Sequence, residues 1–398
     1  MGNCNKNILI LTYWSYNDAL IQTYTLPYVK LIANNLGYDN KLFLLTLEKQ
    51  GSPEIHTQGK INFISRIYRP PGIRAALEWI VTIYRLAKII KKNNISVIHA
   101  WCTPAGMIGY ILAVLTGKEL IIDSFEPHAE AMVENGEWRK NSLIFKLLFR
   151  FEKLQAHRAK YLIAISSKMK AYAEDKYNYK GNNYFIKPAC VNLELFSENS
   201  IKNENLLAKY GLKDKIVCVY AGKFGGIYLD QEVFDFFKAA EEEWGEKFKV
   251  LLLTAESDDV IENLCHKSGF NPSAIVKLFV PHEQIPVYMG LGDFAITPVK
   301  PIPTKRCCSP IKNGEYWALG LPVVITKDIS DDSDIISNSE IGSVLKSLDN
   351  VSYKMAISQI RKLLETEDRK MLYTKIRKIA EENRNFKIAE SIYSKIYC

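Results

Sequence analysis

The sequence predicts an α/β protein built from two doubly wound parallel-sheet domains. Three observations carry that prediction. Short, near-continuous apolar runs alternate with longer amphipathic stretches through most of the 398 residues, as expected when strands are buried on both faces and helices cover them. The alternation breaks once, in the polar, irregular "KPACVNLELFSENSIKNENLL" beginning at Lys187, and then restarts. The length itself suits two domains of about 150–200 residues each.

In chain order, "NILILTYW" opens the first domain as a strand. "DALIQTYTLPYVKLIANNLG" is the first helix, bent where Pro27 lacks an amide proton and stopped by Gly37. "KLFLLTL", "SVIHAW", "ELIIDS" and "YLIAIS" are further strands, with "AALEWIVTIYRLAKIIKKNN" among the intervening helices. In the second domain "KIVCVYAGKFGG", "KVLLLTAES", "AIVKLFV", "DFAITPV" and "PVVITKD" repeat the strand pattern without repeating the sequence. The expected division is residues 1–197, residues 198–375, and a C-terminal helix over 376–398 returning to the first domain. Two such domains place the carboxyl ends of two sheets across a cleft, where open α/β sheets bind ligands.

Composition is that of a globular chain, 47% hydrophobic and 24% charged. The longest apolar run, "MIGYILAVLTG", falls well short of the roughly 18 residues that span a bilayer. The N-terminus shows no basic segment followed by an apolar one, so no secretion signal is expected. "MGNCNK" carries Lys6 where myristoylation expects Ser or Thr. Eight cysteines include no C-x-x-C pair, and several sit in apolar runs. Buried thiols in a reducing cytoplasm are expected, with neither a zinc site nor a disulfide framework.

The net charge of +8 is uneven. Residues 1–197 hold 25 Lys and Arg against 15 Asp and Glu, and residues 198–398 hold 27 against 29. The first half therefore attracts anions. "WIVTIYRLAKIIKK" and "LIFKLLFRFEKLQAHRAK" mix large apolar residues with basic ones at helical spacing. An interfacial helix on anionic lipid and a core-facing helix with a solvated basic side both look like this. The expected location is cytoplasmic, with the inner face of the plasma membrane as a candidate docking surface. No nucleic-acid-binding module is present, and nucleic acid is not expected as a partner.

The most heavily marked stretch is "SPIKNGEYWALGLPVVIT", Ser309 to Thr326. Ser309 suits the N-cap and Pro310 the first helical position. Gly320 is where the helix should stop, and Pro322 follows it. A helix start offers unpaired amides and partial positive charge to a phosphate, which Lys305, Arg306 and Lys312 would reinforce. Glu315 lies about one and a half turns further on, where a carboxylate could accept two hydrogen bonds from a ribose diol. A normally capped surface helix explains the capping alone; Glu315 is what favours a nucleotide diphosphate.

This stretch resembles the nucleotide-sugar motif of family 4 glycosyltransferases, which have the GT-B fold of two facing Rossmann-like domains. "VIHAW", "IIDSFEPHAE", "AKYLIAISSKM", "VYAGKFGG" and "VPHEQIPVYMGLGDFAITP" agree with that family in order. The resemblance implies that Glu315 holds the ribose and that the amides around Ser309, Pro310 and Ile311, with Lys312 and Arg306, cradle the diphosphate. Gly222 and Lys223 fall in its phosphate loop, and the backbone near Val280 would meet the base. It also implies transfer with retention of configuration, from a nucleoside diphosphate sugar to a glycan or lipid-linked acceptor, with no metal and no other cofactor. Surface polysaccharide synthesis is the setting that fits best. The family's first motif glutamate is Cys307 here, its phosphate-loop lysine is Tyr228, and the loop "TYWSYNDAL" lacks the usual glycines. Another GT-B enzyme, such as a nucleotide-sugar epimerase, or a non-catalytic nucleotide-binding subunit are the alternatives.

In the first domain His128, Asp123 and Glu126 share the loop "DSFEPHAE". A histidine near two carboxylates can orient or deprotonate an acceptor hydroxyl, or contact the donor sugar, and these three are the catalytic candidates. His99, inside "VIHA", is read as a core residue. The acidic "SDDSD" at 330–334 is read as part of an ordinary loop, not a metal site.

Overall fold

A computed structural model describes residues 6–49, 59–69, 72–366 and 368–397, without the side chains of residues 73 and 76. Cys4, Cys398 and most of the "MGNCNK" segment lie outside the described residues. The chain forms two units, Met1–Pro188 with Lys387–Cys398, and Ala189–Phe386. The helix Phe386–Tyr397 thus belongs almost wholly to the first unit, whereas the preceding helix Arg369–Asn383 belongs to the second.

Seven parallel strands make the sheet of the first unit: β1 (Asn7–Leu11), β2 (Leu42–Glu48), β3 (Ile61–Ile67), β4 (Ile95–Trp101), β5 (Glu119–Phe125), β6 (Tyr161–Ala164) and β7 (Tyr184–Ile186). Their order is β3-β2-β1-β4-β5-β6-β7, so the winding reverses between β1 and β4. The central runs read as apolar because both faces are covered; every residue of β2 is buried. The edge strands β3 and β7 escape that pattern. β3, "INFISRI", is only partly buried along most of its length, and β7 has three residues.

The first helix answers Pro27 in an unusual way. Leu20–Thr25 winds as a π-helical segment in which Leu26 N–H reaches back to Ile21 O, and α-helix resumes over Leu26–Asn34. Pro27 supplies no amide proton, so the register slips there instead of the helix kinking. Helix Ile73–Lys92 carries Leu77, Ile80, Val81 and Tyr84, all exposed, along one stripe.

Six parallel strands make the second sheet: β8 (Ile216–Ala221), β9 (Phe248–Leu253), β10 (Ile275–Leu278), β11 (Phe294–Thr297), β12 (Val323–Thr326) and β13 (Gly342–Leu345). The order is β10-β9-β8-β11-β12-β13, with the reversal between β8 and β11. The acidic run at 330–334, read from sequence as loop, instead leads into helix Asp332–Ser339, and strand β13 follows and pairs with β12. Cys102, Cys190, Cys218, Cys265 and Cys307 are buried.

Candidate functional site

In the second unit the marked helix spans Ile311–Ala318. Its C-terminus is a Schellman ending: Leu321 N–H reaches Tyr316 O, Gly320 N–H reaches Trp317 O, and Gly320 takes the left-handed φ of 69°. Its N-terminus departs from the sequence expectation. Pro310 occupies the cap position with no side-chain cap bond. Ser309 does not cap; its hydroxyl accepts from Ala189 N–H at 3.0 Å and from the Arg384 guanidinium. The first amides of the helix therefore have no serine oxygen in front of them, which leaves the anion-attracting end open.

A buried polar chain fixes this helix from behind. Thr297 donates to Asn313 Oδ1 at 2.5 Å, Asn313 Nδ2 donates to Asp332 Oδ2 at 2.6 Å, and Arg384 pairs with Asp332. Burial raises the Asp332 carboxyl against the opposing pull of Arg384. The acidic run at 330–334 thus supplies a structural ion pair, and Arg384 also lies 5.3 Å from the centroid of the Trp317 ring. Gly314 sits where any Cβ would come within 2.6 Å of Val191 Cγ2. Tyr316 accepts from Ala221 N–H at 3.0 Å, tying the helix to the end of β8.

The loop after β8 begins at that point. Gly222 leaves β8 by bonding Leu253 O, Lys223 is exposed, and Gly225 and Gly226 both take left-handed φ values of 74° and 63°. Tyr228, which stands where the family carries a lysine, is bridged to Val299 in the segment after β11. The loop and the helix start therefore meet at the carboxyl ends of β8 and β11, the switch point of this sheet, where such sheets bind ligands. Glu315 is 3% exposed, and its Oε2 holds Lys312 Nζ at 2.7 Å. Its Oε1 has no hydrogen bond among the described residues.

Two donor candidates sit differently. Arg306 is exposed and pairs with Asp328 at 3.2 Å. Val280 follows the edge strand β10, two strands from β8.

In the first unit the structure separates the three catalytic candidates. Asp123, near the end of β5, is fully buried. Its Oδ1 lies 3.1 Å from the equally buried Lys187 Nζ, and its Oδ2 accepts from Tyr393 at 2.7 Å and lies 3.3 Å from His99 Nε2. Burial alone would raise this carboxyl; Lys187 and His99 instead hold it down at about 2. The ammonium also lies 3.6 Å from the Tyr28 ring centroid and 4.8 Å from that of Trp101. Left-handed Ser124, at φ 52°, then breaks the strand alternation, and the chain leaves the sheet.

Glu126 and His128 lie beyond this break, each about a quarter to a third exposed, with His128 Nδ1 3.2 Å from Glu126 Oε1. A proton on Nδ1 shared with Glu126 puts the basic lone pair on Nε2. Under them lies a residue sequence reasoning missed. Glu152 accepts from Ala129 N–H at 2.8 Å and from Tyr177 at 2.9 Å, anchoring the first turn of helix His128–Glu134. Burial pushes its carboxyl up to about 7. Nothing in "RFEKLQ" distinguishes Glu152 from a surface glutamate.

Residues 28–195 match the family model described as Glycosyltransferase Family 4. The whole chain superimposes on solved structures of one architecture. Sucrose-phosphate synthase from Thermosynechococcus elongatus aligns with a TM-score of 0.74 at 15% identity, over 99% of this chain and 98% of that one. WaaG, a glycosyltransferase involved in lipopolysaccharide biosynthesis, gives 0.72 at 13%, over 98% and 99%. The chain has the GT-B fold, and residues 28–195 resemble family 4. Anabaena HepE, solved in complex with UDP-glucose, aligns with a TM-score of 0.69 at 14% identity, over 98% of this chain and 99% of that one. No curated protein sequence matches the chain. The family match ends before the helix Ile311–Ala318, so the reading of a nucleotide site there rests on that helix's own geometry.

Proposed function

We propose that the chain is a glycosyltransferase that takes a sugar from a nucleoside diphosphate sugar and transfers it, with retention, to a glycan or lipid-linked acceptor in surface polysaccharide synthesis. The observation that carries the proposal is Glu315. It is buried, held in one rotamer by Lys312, and aimed from a helix whose first amides are uncapped, beside a loop with two left-handed glycines. Diphosphate at the helix tip and ribose on Glu315 Oε1 satisfy both features at once. Lys312, Lys223 and the helix end would stabilise the departing diphosphate, where charge develops. Gly222, Ser309, Pro310 and Ile311 shape the cradle through their backbone. Glu126 and His128 are the groups we assign to the sugar or the acceptor hydroxyl; Asp123 is a positioning residue.

No metal enters this scheme. Among the described residues no group of three or more His, Cys, Asp or Glu is arranged to hold one, and protein cations suffice for the leaving group. Among the described residues no helix is long and apolar enough to cross a membrane. The exposed Leu77, Ile80, Val81 and Tyr84, flanked by Arg74, Arg85 and Lys88, support attachment from the cytoplasmic side to an anionic surface. WaaG's role in lipopolysaccharide biosynthesis and the UDP-glucose bound by HepE agree with this setting.

The test is a binding cycle on Glu315. Glu315→Ala should weaken a nucleoside diphosphate by about 10- to 150-fold, the worth of a charge-assisted bond of roughly 1.5–3 kcal/mol. A 2′-deoxyribose analogue should bind the wild type more weakly but lose far less with the variant. Lys312→Ala, which frees Glu315 without removing it, should leave the deoxy discrimination in place. Equal discrimination in wild type and Glu315→Ala would remove the ribose from Glu315.

A further inference from the structure

The carboxyl ends of β2 and β3 and the first turns of helix Ile73–Lys92 enclose a cavity of about 580 Å³ in the first unit. Its walls include Arg66, Arg85, Trp79, Ser65 and Glu48. Three arginines, Arg66, Arg69 and Arg85, line it beside two glutamates, Glu48 and Glu78. Among the described residues neither Arg66 nor Arg85 forms an ion pair. Arg66 Nε is shut off from solvent and donates to nothing among the described residues. The acidic groups nearby are already committed. Glu48 accepts from Ser15 at 2.5 Å and from Tyr16 N–H at 3.1 Å, and Glu78 pairs with Arg69 at 3.2 Å and Arg74 at 3.3 Å. Burial, and then the charge of Arg85, lower the pKa of Arg66 from its ordinary value.

A fold does not keep two like charges in one hollow, one with a buried unpaired donor, for the sake of stability. Guanidiniums offer forked donors matched to oxyanions, and Trp79 offers a flat apolar wall such as a sugar ring packs against. We propose that this cavity is an acceptor subsite for a phosphate-bearing sugar, with Arg66 and Arg85 holding the phosphate and Trp79 the ring. The proposal rests on the glycosyltransferase reading for the word acceptor, but the oxyanion site stands on its own residues. The phosphate has two sources, a soluble sugar phosphate or a lipid-linked one. The exposed stripe Leu77, Ile80, Val81 and Tyr84 on the same helix would lie against the lipid in the second case.

The experiment titrates the full chain with inorganic phosphate, glucose 1-phosphate and glucose, reading heat and tryptophan fluorescence. Phosphate and glucose 1-phosphate should bind saturably and glucose should not. Arg66→Gln and Arg85→Gln should each weaken binding by about tenfold or more, as loss of a charge-assisted bond requires. Trp79→Phe should lose the fluorescence change that glucose 1-phosphate causes. Arg66→Gln should not lower the thermal midpoint, since it removes one of two like charges; if it fails to fold, Arg85→Gln, on an exposed position, carries the test. Vesicles containing phosphatidate form a parallel arm, and a response there that Arg85→Gln removes assigns the lipid-borne source. Phosphate binding unchanged in both arginine variants, or no binding at all, overturns the site. A nucleoside diphosphate that still binds through Glu315 in that event leaves the glycosyltransferase reading standing, and the reverse result separates the two in the other direction.

Discussion

Asp123→Asn separates a structural role from a chemical one at a position that sequence alone marks as catalytic. The substitution keeps the shape and removes the charge. Lys187 is then left with a buried ammonium, its side chain wholly inaccessible and its nearest groups the rings of Tyr28 and Trp101. Removing one member of a buried pair costs about 3–5 kcal/mol, because the survivor's desolvation is no longer offset. Ring faces return roughly 1–2 kcal/mol of that at most. For a unit of this size, at about 2–4 °C per kcal/mol, the remaining ~1–4 kcal/mol should lower the thermal midpoint by roughly 2–16 °C. Tyr393, which donates to Asp123, lies on the helix Phe386–Tyr397, so hydrogen exchange should rise along that helix in particular. Asp123→Asn with Lys187→Met, which removes both charges, should recover much of the lost stability. The assay is thermal unfolding of the three proteins beside turnover at a temperature where all remain folded. An unchanged midpoint with turnover abolished would refute the structural assignment and return Asp123 to the chemistry.

Glu152→Gln tests the raised carboxyl beneath His128. Its folded pKa of about 7 stands above the ordinary 4.5, so between those values the folded state binds more protons than the unfolded one. Wild-type stability should therefore fall, by about 3 kcal/mol from this group, as pH rises from about 4.5 to 7, and level off above. The glutamine variant should lack that component in denaturant melts across the window, and an identical slope in both proteins would contradict the assignment. Gly314→Ala should destabilise by about 1–3 kcal/mol although alanine favours helices, because its Cβ would meet Val191 Cγ2 at 2.6 Å and Arg384 Cγ at 3.0 Å. A rise in the chemical midpoint would show that Val191 and Arg384 can move aside. Transfer should continue in a chelator; loss of activity in EDTA with recovery on adding Mn²⁺ or Mg²⁺ would place a metal at the diphosphate.

The sequence by itself determined the class of fold and the position of the marked helix. Buried parallel strands need apolar side chains on both faces, so β1, β2, β4 and β8 are legible as runs; Pro310 and Gly320 punctuate a helix by local backbone chemistry that no distant residue changes. Edge strands β3 and β7 were not legible because they are half-covered or short. Tertiary structure alone decided what the polar residues do. Ser309 reads as a cap until Arg384, 75 residues away, takes its hydroxyl. Asp332 reads as part of an ordinary loop until the same arginine pairs with it in the interior, and Asp123 reads as a catalytic candidate until Lys187, His99 and Tyr393 close around it. Glu152, Arg66 and Arg85 carried no signal at all. A charge declares its role through the partner it meets or lacks, and the folded chain sets those partners across separations that no local pattern records.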